Sequence, residues 1–523
     1  MTDRKKDIIL EIKNLRLDFG GSKEVLHDVN FVLKRNSITG MAGRSGSGKS
    51  LTALTILGLQ NSEKCNYSGN ILLHINGESI DLLGFSEKEY EKIRGSKISM
   101  VFQDIYSSFD PRLKCGVQLI EVLKTHTGKS NKECVLEAKE HFRKFGLNTR
   151  IFDSYPHQVS GGELQRVAFA IALASSPDLL IADEPVTNLD AISKKEILDL
   201  IKNINDKNNL SILYISHDIA SIQYLTDEIV LMDSGETSIV KADKILDKQL
   251  NMRFSVKEDI ADTKPVLQLK DIRKKYKRNS IFDIFSSSGE FVALKNISFS
   301  LNKGEILGIV GESGSGKSTL ARIIMGLEKA EKGQYIFEEK DYISANKKDI
   351  EYLRKNIQMV YQNPANSLNP LLSNKILIKE PFEVLGLRFD ENEMLTRIEN
   401  TLSKLNLNMD ILNRYPQQIS GGEAQRLAIA RVLLLEPKVI IFDEAVSSLD
   451  NQNQYDLLNN LMDLQKERIL SYIYITHDLV LARSFCQKLI IMKDGEIVES
   501  GLTVDIFKNP KAEYTKKLLN AVF

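Results

Sequence analysis

Two glycine-rich segments match the pattern G-x-x-x-x-G-K-[ST], in which backbone N–H groups converge on phosphate oxygens. Each follows an apolar stretch and precedes a helical pattern. This context favours phosphate-binding loops over the alternative that both segments are only flexible Gly/Ser loops. The lysine of each segment is expected to contact the β- and γ-phosphates, and the following serine to bind Mg²⁺. The predicted phosphate-binding residues are Gly43, Arg44, Ser45, Gly46, Ser47, Gly48, Lys49 and Ser50 in the first segment, and Gly311, Glu312, Ser313, Gly314, Ser315, Gly316, Lys317, Ser318 and Thr319 in the second.

An acidic pair follows each of these segments at the end of an apolar run. The pairs are Asp183-Glu184 and Asp443-Glu444. An acidic pair at the end of a strand is usually only exposed to solvent, but a phosphate loop in the same domain favours a catalytic role for it. Asp183 and Asp443 are expected to hold Mg²⁺, whereas Glu184 and Glu444 are expected to polarise the attacking water as general bases. The sequence therefore predicts two sites of nucleotide hydrolysis.

The two sets of motifs recur because the chain repeats itself. Ser160-Gly-Gly-Glu163 returns as Ser420-Gly-Gly-Glu423, which is 260 residues later (160 to 420). A repeat of this length is a duplicated domain rather than a solenoid unit. We predict a first domain at residues 1–250, a linker at 251–265 and a second domain at 266–523. Continuous apolar runs at 179–182 and 439–442 indicate buried parallel strands, and therefore an α/β fold.

The bulk composition restricts the class of protein. The chain has 523 residues, and its 70 basic residues equal its 70 acidic residues, which weighs against a nucleic-acid-binding protein. The four cysteines are scattered, so a zinc or iron–sulfur site is not expected. No apolar run approaches the roughly 18 residues of a membrane helix. If the chain serves a membrane, we expect it to dock onto other chains.

With these residues the sequence resembles the ATP-binding-cassette (ABC) family in both halves. The resemblance implies that each domain has a mainly parallel sheet core and a helical subdomain. It also implies that the two domains pair within the chain, the signature segment of one closing over the ATP held by the other. The signature residues are Ser160, Gly161, Gly162 and Glu163 in the first domain, and Ser420, Gly421, Gly422 and Glu423 in the second.

The same resemblance assigns further residues near the nucleotide. Gln103 and Gln362 resemble the Q-loop glutamines, which contact Mg²⁺ and the attacking water. His217 and His477 resemble the switch histidines, which hydrogen-bond the γ-phosphate. Phe19 and Tyr276 resemble the aromatic residue that stacks on adenine. ATP and Mg²⁺ are the implied cofactors.

Finer marks are similar to the oligopeptide, dipeptide and nickel importer ATPases. They include the Q-loop segment 359–370, Tyr155-Pro-His-Gln158 and a C-terminal tail (residues 506–518), although Ala512-Glu513 replaces the usual His-Pro. The resemblance implies a peripheral protein on the cytoplasmic face of the cell membrane. The implied partners are two integral-membrane permease subunits and an extracytoplasmic solute-binding protein, with no nucleic acid. Peptides, nickel, metal–chelator complexes and glutathione-like compounds remain open as cargo.

One alternative and one asymmetry remain. The alternative is a soluble tandem cassette that acts on ribosomes or DNA, although the sequence lacks the long charged linker and zinc-binding cysteine pairs typical of that class.

The asymmetry is that Arg44 in the first domain corresponds to Glu312, and Leu51 to Thr319. Only the second domain has the C-terminal tail. We therefore expect two active but unequal sites.

Overall fold

The computed structural model describes most of the chain as two compact units, one within residues 1–251 and the other within residues 252–522. The described residues are 8–20, 24–44, 46–60, 65–75, 77–187, 189–226, 228–241, 264–277, 290–361, 367–386, 390–446, 449 and 451–521. The predicted linker lies outside them except for residues 264 and 265. The domain limits derived from the sequence therefore stay a prediction. No helix among the described residues is long and apolar enough to cross a membrane.

The first unit is built on a ten-stranded sheet with the order β5-β4-β1-β2-β10-β9-β3-β8-β7-β6. The run β9-β3-β8-β7-β6 is parallel, whereas β1, β2, β4 and β5 pair antiparallel. The strands are β1 Ile8–Phe19, β2 Glu24–Lys34, β3 Ile38–Gly43, β4 Cys65–Ile75, β5 Glu78–Asp81, β6 Ile98–Val101, β7 Leu179–Asp183, β8 Ser211–Ile215, β9 Glu228–Asp233 and β10 Glu236–Lys241.

Helices of the first unit pack on this sheet and form a helical region between β6 and β7. The helices are α1 Lys49–Ile56, α2 Glu87–Ile93, α3 Ile105–Ser108, α4 Cys115–Thr127, α5 Asn131–Lys144, α6 Thr149–Phe152, α7 Gly161–Ala172, α8 Ala191–Asn208 and α9 Ile219–Leu225. The apolar faces of α4, α5 and α7 share one core cluster with β7 and β8, so the helical region packs against the parallel strands.

The second unit has a six-stranded sheet of order β16-β17-β18-β13-β19-β20 and a four-stranded antiparallel sheet of order β12-β11-β14-β15. In the larger sheet, β16 to β19 are parallel and only β20 runs antiparallel. The strands are β11 Pro265–Lys277, β12 Glu290–Asn302, β13 Ile306–Val310, β14 Lys332–Phe337, β15 Lys340–Asp341, β16 Ile357–Val360, β17 Val439–Asp443, β18 Ser471–Thr476, β19 Lys488–Lys493 and β20 Glu496–Leu502.

The helices of the second unit follow the same order and end with two that the first unit does not show among its described residues. They are α10 Lys317–Ile324, α11 Lys347–Asn356, α12 Asn374–Val384, α13 Glu391–Lys404, α14 Gly421–Leu433, α15 Asn451–Arg468, α16 Leu479–Phe485, α17 Thr503–Lys508 and α18 Glu513–Leu519. The last two contain most of the C-terminal tail.

The α/β class predicted from the apolar runs is confirmed. Every residue of β7 is buried, as is every residue of β8, β13 and β18. Continuous burial on both faces explains why these strands lack polar alternation. The helical patterns predicted after the phosphate loops begin as helices at Lys49 and Lys317, directly after Gly48 and Gly316.

Candidate active sites

The first phosphate loop leaves β3 and enters α1, and its lysine is held inside it. Lys49 is only 5% exposed. Its Nζ donates hydrogen bonds to the carbonyls of Gly43 and Arg44, each at 2.8 Å. Burial lowers the pKa of Lys49, and the nearby carboxylates of Glu184 and Asp183 partly offset this effect. The loop therefore presents a positive charge that is fixed by its own backbone.

The second phosphate loop repeats this arrangement between β13 and α10. Lys317 is 7% exposed, and its Nζ donates to the carbonyls of Gly311 at 2.7 Å and Glu312 at 2.8 Å. In both units the turn between the last two strands also holds the loop. The N–H of Gly495 donates to the Ser315 carbonyl at 3.1 Å, as the corresponding glycine does in the first unit.

The loop glycines are required for two different physical reasons. At Gly43, an added Cβ would lie 2.2 Å from the Met232 carbonyl oxygen, and at Gly311 it would lie 2.3 Å from that of Met492. These contacts are with backbone, so a side chain cannot be accommodated without moving a strand. Gly46 and Gly314 instead have φ of +77° and +82°, a left-handed conformation that favours glycine.

Buried polar atoms of the loops point to a ligand of phosphate type. The Oγ atoms of Ser47 and Ser315 are buried and have no hydrogen-bond partner among the described residues, and the same holds for Oδ1 of Asp183. The helices that follow begin without a side-chain cap, so their first N–H groups remain available to an anion. Unpaired buried polar atoms are unfavourable unless a ligand or water satisfies them.

Parallel strands bring the acidic pairs to the same edge as the phosphate loops. Asp183 ends β7, is 3% exposed and accepts a hydrogen bond from the Ser50 hydroxyl. Asp443 ends β17 and interacts in the same way with Ser318. Burial raises the pKa of both aspartates, and the neighbouring glutamate adds to this in each case. A carboxylate beside a hydroxyl is a set of hard oxygen ligands that suits Mg²⁺, which usually takes its other ligands from water and substrate.

The glutamates of the acidic pairs are turned towards the predicted switch histidines. Glu184 has φ of +47°, and its N–H donates to the Ile215 carbonyl at 2.8 Å. Its Oε2 lies 2.8 Å from Nδ1 of His217. Burial alone would raise the pKa of Glu184, but the hydrogen bond and charge of His217 lower it. The same hydrogen bond raises the pKa of His217.

The second unit has the same glutamate–histidine pair, with a slightly longer distance between the carboxylate and the imidazole. Glu444 has φ of +50°, and its Oε1 lies 3.2 Å from Nδ1 of His477. Burial favours the neutral histidine, but the hydrogen bond to Glu444 and its charge raise the pKa of His477. Each unit therefore brings the lysine, aspartate, glutamate and histidine of the predicted set to one strand edge.

The signature segments begin helices and are held by their own capping residues. The Ser160 N–H donates to Oε2 of Glu163 at 2.9 Å, and its hydroxyl donates to the same oxygen at 2.8 Å. Ser420 and Glu423 repeat this capping box at 2.8 and 2.9 Å. The glycines between them lie at the starts of α7 and α14, where Gly421 is exposed and Gly161, Gly162 and Gly422 are half-buried.

The aromatic residues predicted to stack on adenine differ between the units. Phe19 ends β1 and is 38% exposed. Tyr276 lies near the end of β11, and its hydroxyl donates to the Glu328 carboxylate. The Thr319 side chain also hydrogen-bonds Tyr276, and Lys274 Nζ lies 5.2 Å from the centre of its ring. Thr319 thus contacts the aromatic residue, and its contact with phosphate stays a prediction.

Of the remaining predicted residues considered, two are exposed and two lie outside the described part of the chain. Gln103 is exposed and lies two residues beyond β6, next to the strand that ends in Asp183. Ser313 is exposed at the tip of the second phosphate loop. Ser45 and Gln362 lie outside the described residues.

Comparison with known proteins places these sites in a family. A family model described as "ABC transporter" matches residues 26–187 and 294–447. The chain is 33% identical over 98% of its length to the glutathione import ATP-binding protein GsiA of Salmonella typhimurium, 89% of which is covered. It is 35% identical over 98% of its length to the uncharacterized ABC transporter ATP-binding protein YejF of Escherichia coli, 99% of which is covered.

The chain belongs to the ABC transporter family. It is a tandem pair of ABC-type ATPase domains, and its activity is ATP hydrolysis coupled to transport, with ATP and Mg²⁺ as cofactors. Among solved structures, cbiO1 of Clostridium perfringens, part of the ABC transporter complex cbiONQ, is 28% identical. That match has a TM-score of 0.41 and covers 47% of this chain and 91% of the other.

The ABC cassette residues present here fit both cofactors. The buried hydroxyls of Ser47 and Ser315 would donate hydrogen bonds to phosphate oxygens, and Oδ1 of Asp183 would accept a hydrogen bond from a metal-bound water. Bound Mg²⁺ would neutralise charge on the β- and γ-phosphates. The Ser50 hydroxyl and Asp183 carboxylate would hold it in the first cassette, and Ser318 and Asp443 in the second.

Two residues near the ABC cassette sites were not identified from the sequence. Thr187 donates its hydroxyl to Oε2 of Glu184 at 2.9 Å, the same oxygen that lies 2.8 Å from Nδ1 of His217. Its position three residues after Glu184 is the sequence feature that could have indicated this contact. Tyr514 accepts a hydrogen bond from the Glu312 N–H at 3.3 Å, across 202 residues of sequence. No local pattern could have indicated that contact.

Proposed function

We propose that this chain is the ATP-hydrolysing subunit of an importer that takes up peptides, with nickel, metal–chelator complexes and glutathione-like compounds as the alternative cargoes. The observation that supports the proposal most strongly is similarity over 98% of the chain to a glutathione import ATP-binding protein. The relative is also covered over 89% of its length, so the similarity includes both cassettes.

In the proposed mechanism, the phosphate loop holds ATP and the acidic pair hydrolyses it. Lys49 and the N–H groups at the start of α1 bind the phosphates, since Lys49 is fixed in the loop by two backbone carbonyls. Glu184 orients the water and accepts its proton, because the lowered pKa keeps the carboxylate charged at neutral pH. His217 holds that carboxylate in place and contacts the γ-phosphate.

The second cassette works in the same way with Lys317, Glu444 and His477. We further propose that the two cassettes pair within the chain, as the family resemblance implies, and that each signature segment contacts the ATP of the other cassette. Gln103 and Gln362 would contact Mg²⁺ and water, and Phe19 and Tyr276 would stack on adenine.

Transport across a membrane requires partner subunits. We propose two integral-membrane permease subunits, an extracytoplasmic solute-binding protein and a position on the cytoplasmic face of the cell membrane. ATP-driven closing and reopening of the cassettes would then switch the permease pair between its two orientations.

The test is purification of the tagged chain from detergent-solubilised membranes, followed by ATPase assays with the co-purified proteins in liposomes. We expect two hydrophobic chains to co-purify. We also expect turnover to rise when the solute-binding protein carries one member of a panel of di- and oligopeptides, glutathione and nickel chelates. Co-sedimentation with ribosomes or DNA, without membrane partners, would contradict the proposal.

A further inference from the structure

The C-terminal tail contacts the second phosphate loop directly. The Glu312 N–H donates to the Tyr514 hydroxyl oxygen at 3.3 Å. The carbonyl of the same Glu312 accepts from Nζ of Lys317 at 2.8 Å. One residue of the loop is therefore held on its N–H side by the tail and on its carbonyl side by the lysine that is expected to bind phosphate.

The tail is itself firmly attached to the second unit. The carboxylate of Glu499 in β20 accepts the N–H groups of Lys511 at 2.9 Å and Ala512 at 3.0 Å, at the start of α18. Farther along the helix, Leu518 is 2% exposed. Nζ of Lys493, at the end of β19, lies 5.0 Å from the centre of the Tyr514 ring. Tyr514 is therefore placed by three attachments rather than by the hydrogen bond alone.

The contact distinguishes the second phosphate loop from the first. Both loops share the hydrogen bond from the turn glycine, Gly235 or Gly495, to a serine carbonyl. In the part of the first unit that the structure describes, β10 ends at Lys241 and no tyrosine contacts the Arg44 N–H, which corresponds to that of Glu312. The tyrosine is thus an additional anchor of one loop.

We propose that Tyr514 is a positioning residue that holds the second phosphate loop in its ATP-binding conformation. ATP affinity at the second site would then depend on the tail, while affinity at the first site would not. A loop that is already ordered loses less conformational entropy when ATP binds, so the anchor lowers the Kd. This inference rests on the proposed ATP-binding role of the second loop.

The test measures Mg-ATP affinity in chains that keep only one functional loop. Lys49→Met leaves the second loop as the high-affinity site, and Lys317→Met leaves the first. Tyr514→Phe is added to each, because it removes the hydroxyl and keeps the ring on Lys493. From the net strength of one neutral hydrogen bond, we expect the Kd to rise about threefold to tenfold in the Lys49→Met chain. No change is expected in the Lys317→Met chain.

Two further measurements separate positioning from a general loss of structure. Tyr352→Phe removes another tyrosine hydroxyl of the second unit. That hydroxyl donates a hydrogen bond to Glu338 at 2.8 Å and does not belong to the phosphate loop, so the substitution should leave the Kd for ATP unchanged. Steady-state turnover of Tyr514→Phe in the Lys49→Met chain should show a raised KM with kcat preserved, because Tyr514 does not contact the reacting atoms.

The outcomes are distinguishable. An unchanged Kd in the Lys49→Met, Tyr514→Phe chain would overturn the role of Tyr514 while leaving the proposed function intact. Equal weakening in both backgrounds, or an equal effect of Tyr352→Phe, would also overturn it. A folded Lys49→Met chain that binds no ATP would contradict the proposed function of the second loop itself.

Discussion

The signature glycine Gly421 allows stability and activity to be separated by one methyl group. It lies at the first position of α14, and among the described residues, its chain neighbours and own helix backbone aside, no heavy atom is within 4 Å of the position that an added Cβ would occupy. The described part of its own unit therefore gives no steric reason for glycine there. If the residue is glycine because a nucleotide approaches it closely, Gly421→Ala should harm hydrolysis without harming the fold.

The expected magnitudes follow from the same geometry. Replacing a helical glycine with alanine raises stability by about 0.4–1 kcal/mol, mainly through the unfolded chain. In a domain of this size that corresponds to a rise in Tm of roughly 1–4 °C. We expect ATPase activity to fall at least about tenfold, which is a loss of about 1.4 kcal/mol of transition-state stabilisation.

Gly311→Ala is the matched control, because its Cβ would lie 2.3 Å from the Met492 carbonyl oxygen and 2.8 Å from Oγ of Ser315. Overpacking of this kind costs about 1–3 kcal/mol, so its Tm should fall. The assays are thermal unfolding by fluorescence and steady-state ATP hydrolysis. A Gly421→Ala chain with wild-type turnover, or one that is destabilised like the control, would refute the reasoning.

Three other predictions concern the acidic pairs. Glu184→Gln should cut ATP turnover by orders of magnitude while leaving the Kd for ATP nearly unchanged, and near-normal turnover would contradict the role of Glu184 as general base. Asp183→Asn should raise the Mg²⁺ concentration for half-maximal ATPase more than about tenfold, because a metal ligand loses its charge; an unchanged Mg²⁺ dependence would remove Asp183 from the metal site. The Glu184–His217 pair should stabilise the first unit most between about pH 4.3 and 6.5, the ordinary pKa values of the two groups. The lowered pKa of Glu184 means that its contribution is lost as pH falls through that value, and the raised pKa of His217 means that its contribution is lost as pH rises through it. Unfolding of wild type and His217→Gln across pH 4–9 measures this window, and a difference that keeps growing at alkaline pH would contradict it.

The sequence predicted the fold because the relevant signals are local and repeated. Continuous apolar runs indicated β7 and β17, and the glycine-rich motifs indicated the loops before Lys49 and Lys317. Parallel strands then required the acidic pairs to lie near those loops, since the carboxyl ends of the strands meet at one edge of the sheet.

Contacts between distant segments could not be predicted in this way. The hydrogen bond between Glu312 and Tyr514 joins residues 202 positions apart, and it depends on how α18 packs on β20. Likewise, Tyr276 carries no sequence mark that its hydroxyl donates to Glu328. The sequence anticipated unequal sites from Arg44 and Glu312, while the structure shows the asymmetry in the attachments of the second loop.

The central claim is that one chain carries two complete ATP-hydrolysing cassettes. The most direct test is the number of Mg-ATP molecules bound by the chain that carries both Glu184→Gln and Glu444→Gln, measured by equilibrium dialysis with labelled ATP. The account predicts two ATP molecules per chain, falling to one when Lys49→Met or Lys317→Met is added. A stoichiometry of one in the chain with both lysines intact would contradict it.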